Sequence, residues 1–362
     1  MFKIKKQIST LYSTAVLSNL PLTGAWIAIL TARGFSLVEI GIAETVFHIT
    51  SLLMELPSGI LADVFGRKRM LIVSTVMRMI GNVVMIFSND LSLVCLSVCF
   101  TALSYNFSSG TGDALAYDSL KLARMEDGFE RFESNQLMIY RLCGGLSTLC
   151  AGFALTIGHK IAYGTDVLSG LIQILLLCSL REIPADQSGT DGSILRRLLS
   201  CFKESLFFLR GSTRVLFIMF CNSLVGAMDI LLLFFLQAKL PTRGIPQWEL
   251  GVALLLMELG GIVGAKLILK LPRWSYRAVF AASLAAVLAG ILMEHAAPYQ
   301  LMTLGGFLAA VGDDALQVRT NALLQSMFPS QQRATLTSVE SLTFSVIMVV
   351  LTPLASLFFT RW

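Results

Sequence analysis

Glu44, His48, Ser51 and Glu55 recur at i, i+4, i+7 and i+11 within a run that is otherwise apolar. On an α-helix this spacing puts all four on one face. Two carboxyl groups and an imidazole on one stripe can take up and release protons. The other reading is a polar seam satisfied by a neighbouring helix. A charge inside a bilayer costs roughly 2.5 to 3.5 kcal/mol on insertion scales, so each such residue is a candidate site. By that test Arg78, Asp229 and Glu258 also stand out, and Asn222 shares a helical face with Asp229 seven residues on. Arg78 lies at a depth near that of Glu55 on the preceding helix, at about 1.5 Å per residue. An ion pair Glu55–Arg78 is therefore expected, leaving Glu44 the freer proton carrier. Asn106 and Asp113 are expected to share a face of one further helix.

These residues need a solvent that makes their charge costly, and the composition supplies it. The chain of 362 residues is 55% hydrophobic and 14% charged, where soluble domains carry about 25% charged residues. Apolar runs near the length of a bilayer crossing recur along it. This predicts an all-α membrane protein with about eleven spans: 8–31, 38–62, 70–88, 91–113, 136–158, 162–180, 215–238, 248–269, 276–293, 299–314 and 334–360. A charged loop is expected over 117–134. A polar linker with an interfacial helix over 198–210 is expected between a six-helix bundle (1–182) and a second bundle (213–362), with the linker at 183–212. Lys3, Lys5 and Lys6 precede an apolar run too long for a signal peptide, so the first span is expected to stay uncleaved. Lys and Arg collect in alternate links, which places the N-terminus and the 2–3 link in the cytoplasm. Pro21 and Pro57 interrupt the first two spans and are candidate hinges or static kinks. The net charge of +5 follows from these anchors and needs no nucleic acid. The seven Cys and three His show neither a disulfide framework nor a metal spacing. No phosphate-binding loop or nucleophile triad is visible, so neither an enzyme nor an ATP-driven pump is expected, and no cofactor.

The link between the second and third spans reads Gly59-Ile60-Leu61-Ala62-Asp63-Val64-Phe65-Gly66-Arg67-Lys68-Arg69. It resembles the signature of the major facilitator superfamily, Gly-x-Leu-Ala-Asp-Arg-x-Gly-Arg-Lys, with Val64 in place of the first Arg. Gly112-Asp113-Ala114-Leu115 is echoed by Asp313-Asp314-Ala315-Leu316, as in a transporter of two pseudo-symmetric halves. The resemblance implies the major facilitator fold and alternating access. It implies that Asp63 holds the start of the eleventh span when the inner side is closed, and that Arg67 pairs with Asp113. Lys68 and Arg69 would be gate residues and anchors at once. The family has twelve helices, so the resemblance reads eleven as a missing last one. In the family the first, fourth, seventh and tenth helices line the cavity, which makes Asn222 and Asp229 substrate or proton ligands. Glu55-x-Pro57-Ser58-Gly59 and the run from Gly112 to Leu120 resemble a bacterial efflux-like branch. This implies proton-coupled export of a small amphipathic compound by a monomer in the plasma membrane, with protons and membrane lipid as its other partners. Uptake of a small metabolite or anion, or a non-transporting sensor, are the alternatives.

Overall fold

The computed structural model describes residues 4–125, 128–183, 203, 211–295, 298–327 and 333–361. Among them are α1 (Ile4–Asn19), α2 (Trp26–Ala32), α3 (Leu37–Phe65), α4 (Arg67–Phe87), α5 (Leu91–Ser108), α6 (Thr111–Leu122), α7 (Phe129–Leu149), α8 (Ala151–Ile157), α9 (His159–Ser179), α10 (Thr213–Lys239), α11 (Gln247–Leu269), α12 (Tyr276–Met293), α13 (Tyr299–Met327) and α14 (Arg333–Arg361). No strand occurs among the described residues. Among the described residues, eight helices or continuous pairs are long and apolar enough to cross a membrane, or nine if the bent pair α7–α8 is one span. The chain is a multi-pass membrane protein, as its composition predicts. The expected interfacial helix at 198–210 lies outside the described residues apart from Lys203.

The chain divides into two compact units, residues 1–29 with 46–191, and 30–45 with 192–362. Local chemistry sets the helix ends. Asp90 caps α5 by accepting from the Leu93 N–H at 3.0 Å. Ser275 caps α12 by accepting from Ala278 at 3.3 Å. Gly66, at φ 96°, separates α3 from α4 in a conformation that side chains resist. Pro57 sits inside α3 without ending it.

Four departures from the expected spans have physical causes. The first span is broken at 20–25, where Pro21 lacks the N–H that would continue the helix. The fourth is broken after Ser108, where Gly110 takes φ 66°, and resumes as α6. Asn106 and Asp113 therefore do not share one helical face. Most of the expected loop at 117–134 is helical. Leu115, Ala116 and Leu120 of α6 and Phe132 of α7 are buried with Leu11, Leu177 and Leu180, and that core holds both helices in place. Finally, α13 runs past Asp314 to Met327. Leu316, Thr320 and Leu324 are buried at four-residue spacing, so the apolar stripe continues beneath the charges.

In the second unit α11 and α13 pack through glycine. A Cβ on Gly260 would run into the Phe307 carbonyl, and one on Gly264 into that of Val311. Val215, Ile218 and Met219 of α10 meet Leu324 of α13 and Val339 of α14. At the opposite end of α10, Lys239 forms an ion pair with Glu294, which is fully buried.

Candidate functional site

In the second unit, three helices bring four carboxyl groups together. Asp229 of α10 lies within electrostatic reach of Glu258 on α11 and of Asp313 and Asp314 on α13. Glycines make the approach possible. Asp313 lies against Gly226, one helical turn before Asp229, where a Cβ would sit 3.3 Å from its Oδ1. Asp314 lies against Gly261, one turn after Glu258. The charges of Glu258, Asp313 and Asp314 that reach Asp229 are negative. No group of three metal-ligating side chains has metal-site geometry among the described residues. Asn222, on the same helix, donates to Glu340 of α14 at 3.3 Å.

In α3, Glu44, His48 and Ser51 are buried and Glu55 is half-buried, so the stripe is inward-facing along its length. Glu55 accepts from Asn106 Nδ2 at 3.0 Å, and the same amide donates to the Ser51 carbonyl at 3.1 Å. The expected Glu55–Arg78 pair is corrected here. Arg78 instead donates to Ser18 O at 3.1 Å, to Ser18 Oγ at 3.2 Å and to Gln173 Oε1. It faces α1 and α9, away from α3's polar stripe. Asp166, seven residues before Gln173 on α9 and within reach of the Arg78 charge, takes the Leu22 N–H at 2.9 Å and the Thr23 hydroxyl. Ser147 of α7 donates to the Pro21 carbonyl at 2.6 Å. Side chains thus satisfy the backbone groups released where the first span breaks.

The signature link is held within its own unit. Arg67 pairs with Asp118 and donates to the Ala114 carbonyl at 2.8 Å. The expected partner, Asp113, is one turn too early, because α6 restarts at Thr111 and turns Asp118 toward the link. Glu182 accepts from the backbone N–H groups of Lys68 (3.2 Å) and Arg69 (3.3 Å), placing a negative charge at the positive end of α4. A Cβ on Gly66 would sit 2.9 Å from that carboxylate and push it aside, while the φ of 96° is what favours glycine there. Lys68 reaches back to the Cys178 carbonyl at 2.8 Å. Gln7 exchanges hydrogen bonds with the backbone of Arg181 at 2.9 and 3.0 Å. Gly59 and Asp63 lie in α3, but their side chains lie outside the described residues, as do those of 333–338, so the expected Asp63 contact does too.

Arg67 and Asp118 are both largely buried, which makes a lone survivor costly. Arg67→Ala or Asp118→Ala is expected to lower stability by about 1.5 to 3 kcal/mol. The exchange Arg67→Asp with Asp118→Arg is expected to recover part of it, as read by thermal unfolding in detergent. Equal melting of all four proteins would show that the pair contributes nothing.

Asp118, Asp166, Gln173 and Glu182 are the residues that sequence reasoning missed. Asp166 stands in an apolar run, so the cost of burying charge marks it as it marks Arg78. Glu182 carries no local signal.

The family model described as Major Facilitator Superfamily matches residues 8–353. An uncharacterised MFS-type transporter, YxaM of Bacillus subtilis (strain 168), is 22% identical over 345 residues, covering 92% of this chain and 84% of that one. Among solved structures, the nucleoside transporter NupG is similar with a TM-score of 0.72 at 17% identity, over 97% of this chain and 89% of that chain. A D-xylose–proton symporter is similar with a TM-score of 0.70 at 11% identity, over 97% and 89%.

Proposed function

The chain belongs to the Major Facilitator Superfamily, and on that footing we propose that it exports a small amphipathic compound in exchange for protons, by alternating access. As a secondary transporter it draws on a gradient. The observation that carries the proton coupling is the group of four carboxyls around Asp229. Like charges in apolar surroundings cannot all be ionised, so the group as a whole stores protons and releases them when water enters. Neighbouring titratable groups of this kind respond as one unit rather than singly. The apolar helices around it suit a lipophilic cation, which would take the place of a released proton. In this reading the N-terminus and the signature link face the cytoplasm of a plasma membrane. Asp63 then clasps the start of α14 when the inner side is closed, and Arg67–Asp118 and Glu182 hold the link in shape for that clasp.

Proton-driven uptake is the second reading. The similarity to a nucleoside transporter and to a D-xylose–proton symporter favours it. Inverted membrane vesicles with an acid interior separate the two. Exchange predicts that a fluorescent lipophilic cation such as rhodamine 6G accumulates inside, and that adding it discharges the acid interior. Uptake predicts that solute leaves such vesicles along with protons. Accumulation that ignores a collapsed pH gradient would overturn both.

A further inference from the structure

The first unit holds a polar group whose hydrogen bonds do not balance. Asn106 is 2% exposed. Its Nδ2 spends both hydrogens, on Glu55 at 3.0 Å and on the Ser51 carbonyl at 3.1 Å. Its Oδ1 is buried and accepts no hydrogen bond among the described residues. Exchanging the amide's O and N would set three acceptors against one another, so the orientation is dictated by its neighbours. A buried acceptor left unmet is costly. The place is therefore rich in acceptors and short of donors, and the half-buried carboxylate beside it attracts positive charge.

One aromatic ring lies within reach of the carboxylate, and two more lie near that ring. Tyr105, next to Asn106 on α5, lies within electrostatic reach of Glu55 and of Tyr140 on α7. The Phe47 ring, two turns before Glu55 on α3, stands 6.1 Å from that of Tyr105. Phe47 is half-buried, while Tyr105 and Tyr140 are more than half exposed. Ring faces beside a carboxylate attract organic cations. The same carboxylate repels anions, and one carboxylate with one amide oxygen is too small a set for a metal ion.

We infer that Glu55, Asn106 and the rings of Phe47, Tyr105 and Tyr140 form a recognition site for an organic ammonium ion that carries N–H hydrogens. This deepens the reading of the protein as an exporter of lipophilic cations and rests on it. The rings hold the cation and its apolar substituent. Glu55 balances the charge, and Asn106 Oδ1 takes an N–H. A quaternary ammonium meets the rings and the charge but leaves Oδ1 unmet. The site therefore ranks primary and secondary amines above their fully methylated counterparts.

The test is calorimetric titration of the full-length protein in lipid nanodiscs, with empty nanodiscs subtracted. The probes are 4-phenylbutylammonium and 4-phenylbutyltrimethylammonium. The wild type is expected to prefer the first by about tenfold, the worth of one charge-assisted hydrogen bond. Asn106→Leu is expected to erase that preference, so that the two probes bind alike whatever the change does to both in common. Glu55→Gln should weaken both probes by at least about tenfold, Glu55→Asp much less, and Tyr105→Ala should weaken both by a few-fold. Thermal unfolding of each variant separates lost binding from lost fold. Equal binding of the two probes by the wild type, or unchanged binding by folded Glu55→Gln, would overturn the site. If binding ignores Glu55 while acid-loaded vesicles still accumulate dye, this inference fails and the transport reading stands. If binding follows Glu55 but no proton-driven movement occurs, the transport reading fails and the site stands.

Discussion

An Asp229→Asn variant is expected to keep its fold and lose at least nine-tenths, roughly tenfold, of the transport driven by a pH gradient. Asparagine has the shape of a protonated aspartic acid and cannot release the proton. Asp229 is the member of the acidic group that feels Glu258, Asp313 and Asp314 together. Fixing it in the neutral form removes a negative charge from the neighbours and eases the crowding that makes their protonation responsive. Solute exchange that needs no proton, measured with equal pH on both sides, should persist in the variant. Reconstituted vesicles distinguish the two activities directly. Full pH-driven transport by Asp229→Asn would move the coupling elsewhere, with Glu44 the next residue to neutralise.

Gly264→Val is expected to have the largest effect on folding. The added side chain would enter the Val311 carbonyl of α13, a backbone atom that cannot rotate away. Gly260, one turn earlier, meets Phe307 in the same way, so the two helices touch along two turns. Overpacking a tight core costs about 1 to 3 kcal/mol, and more where backbone must move. The expected result is a sharp fall in the yield of detergent-soluble, monodisperse protein and in its melting temperature. Gly144→Ala, where nothing lies within 4 Å of an added Cβ, serves as the control. Equal behaviour of the two variants would mean that α11 and α13 do not pack through these glycines.

Much of the architecture follows from apolar run length alone. The span expected over 276–293 coincides with α12 at both ends, because a capping serine opens it and polar residues close it. The breaks were partly legible. Pro21 announces the gap between α1 and α2, whereas Gly110 carries no mark that separates it from the glycines lying inside helices. Pairings were the least legible part. Counting residues gives the depth of a side chain and says nothing about its direction around the helix. Arg78 and Glu55 were matched in depth, yet Arg78 turns to Ser18 and Gln173 and Glu55 to Asn106. The family resemblance implies an Arg67–Asp113 pair, whereas α6 restarts at Thr111 and Arg67 pairs with Asp118. The acidic group around Asp229 was half visible. Asp229 and Glu258 stand out as charges in apolar runs, whereas Asp313 and Asp314 fall at the end of the span expected over 299–314, past which α13 continues.

The carboxylate of Glu182 closes the start of α4 from a position shortly before residue 191, where the chain leaves the first unit for the last time. Where a cut in the chain can be tolerated follows from this. A protein expressed as two fragments divided near residue 190 keeps Gln7, Arg181 and Glu182 in one piece with the helices they bind. Division before Arg181 strips Arg181 and Glu182 from the amino-terminal fragment, which parts Gln7 from the backbone it binds and takes Glu182 from the amides of Lys68 and Arg69. Complementation by paired fragments should therefore succeed at the first site and fail at the second, although the two lie only about ten residues apart.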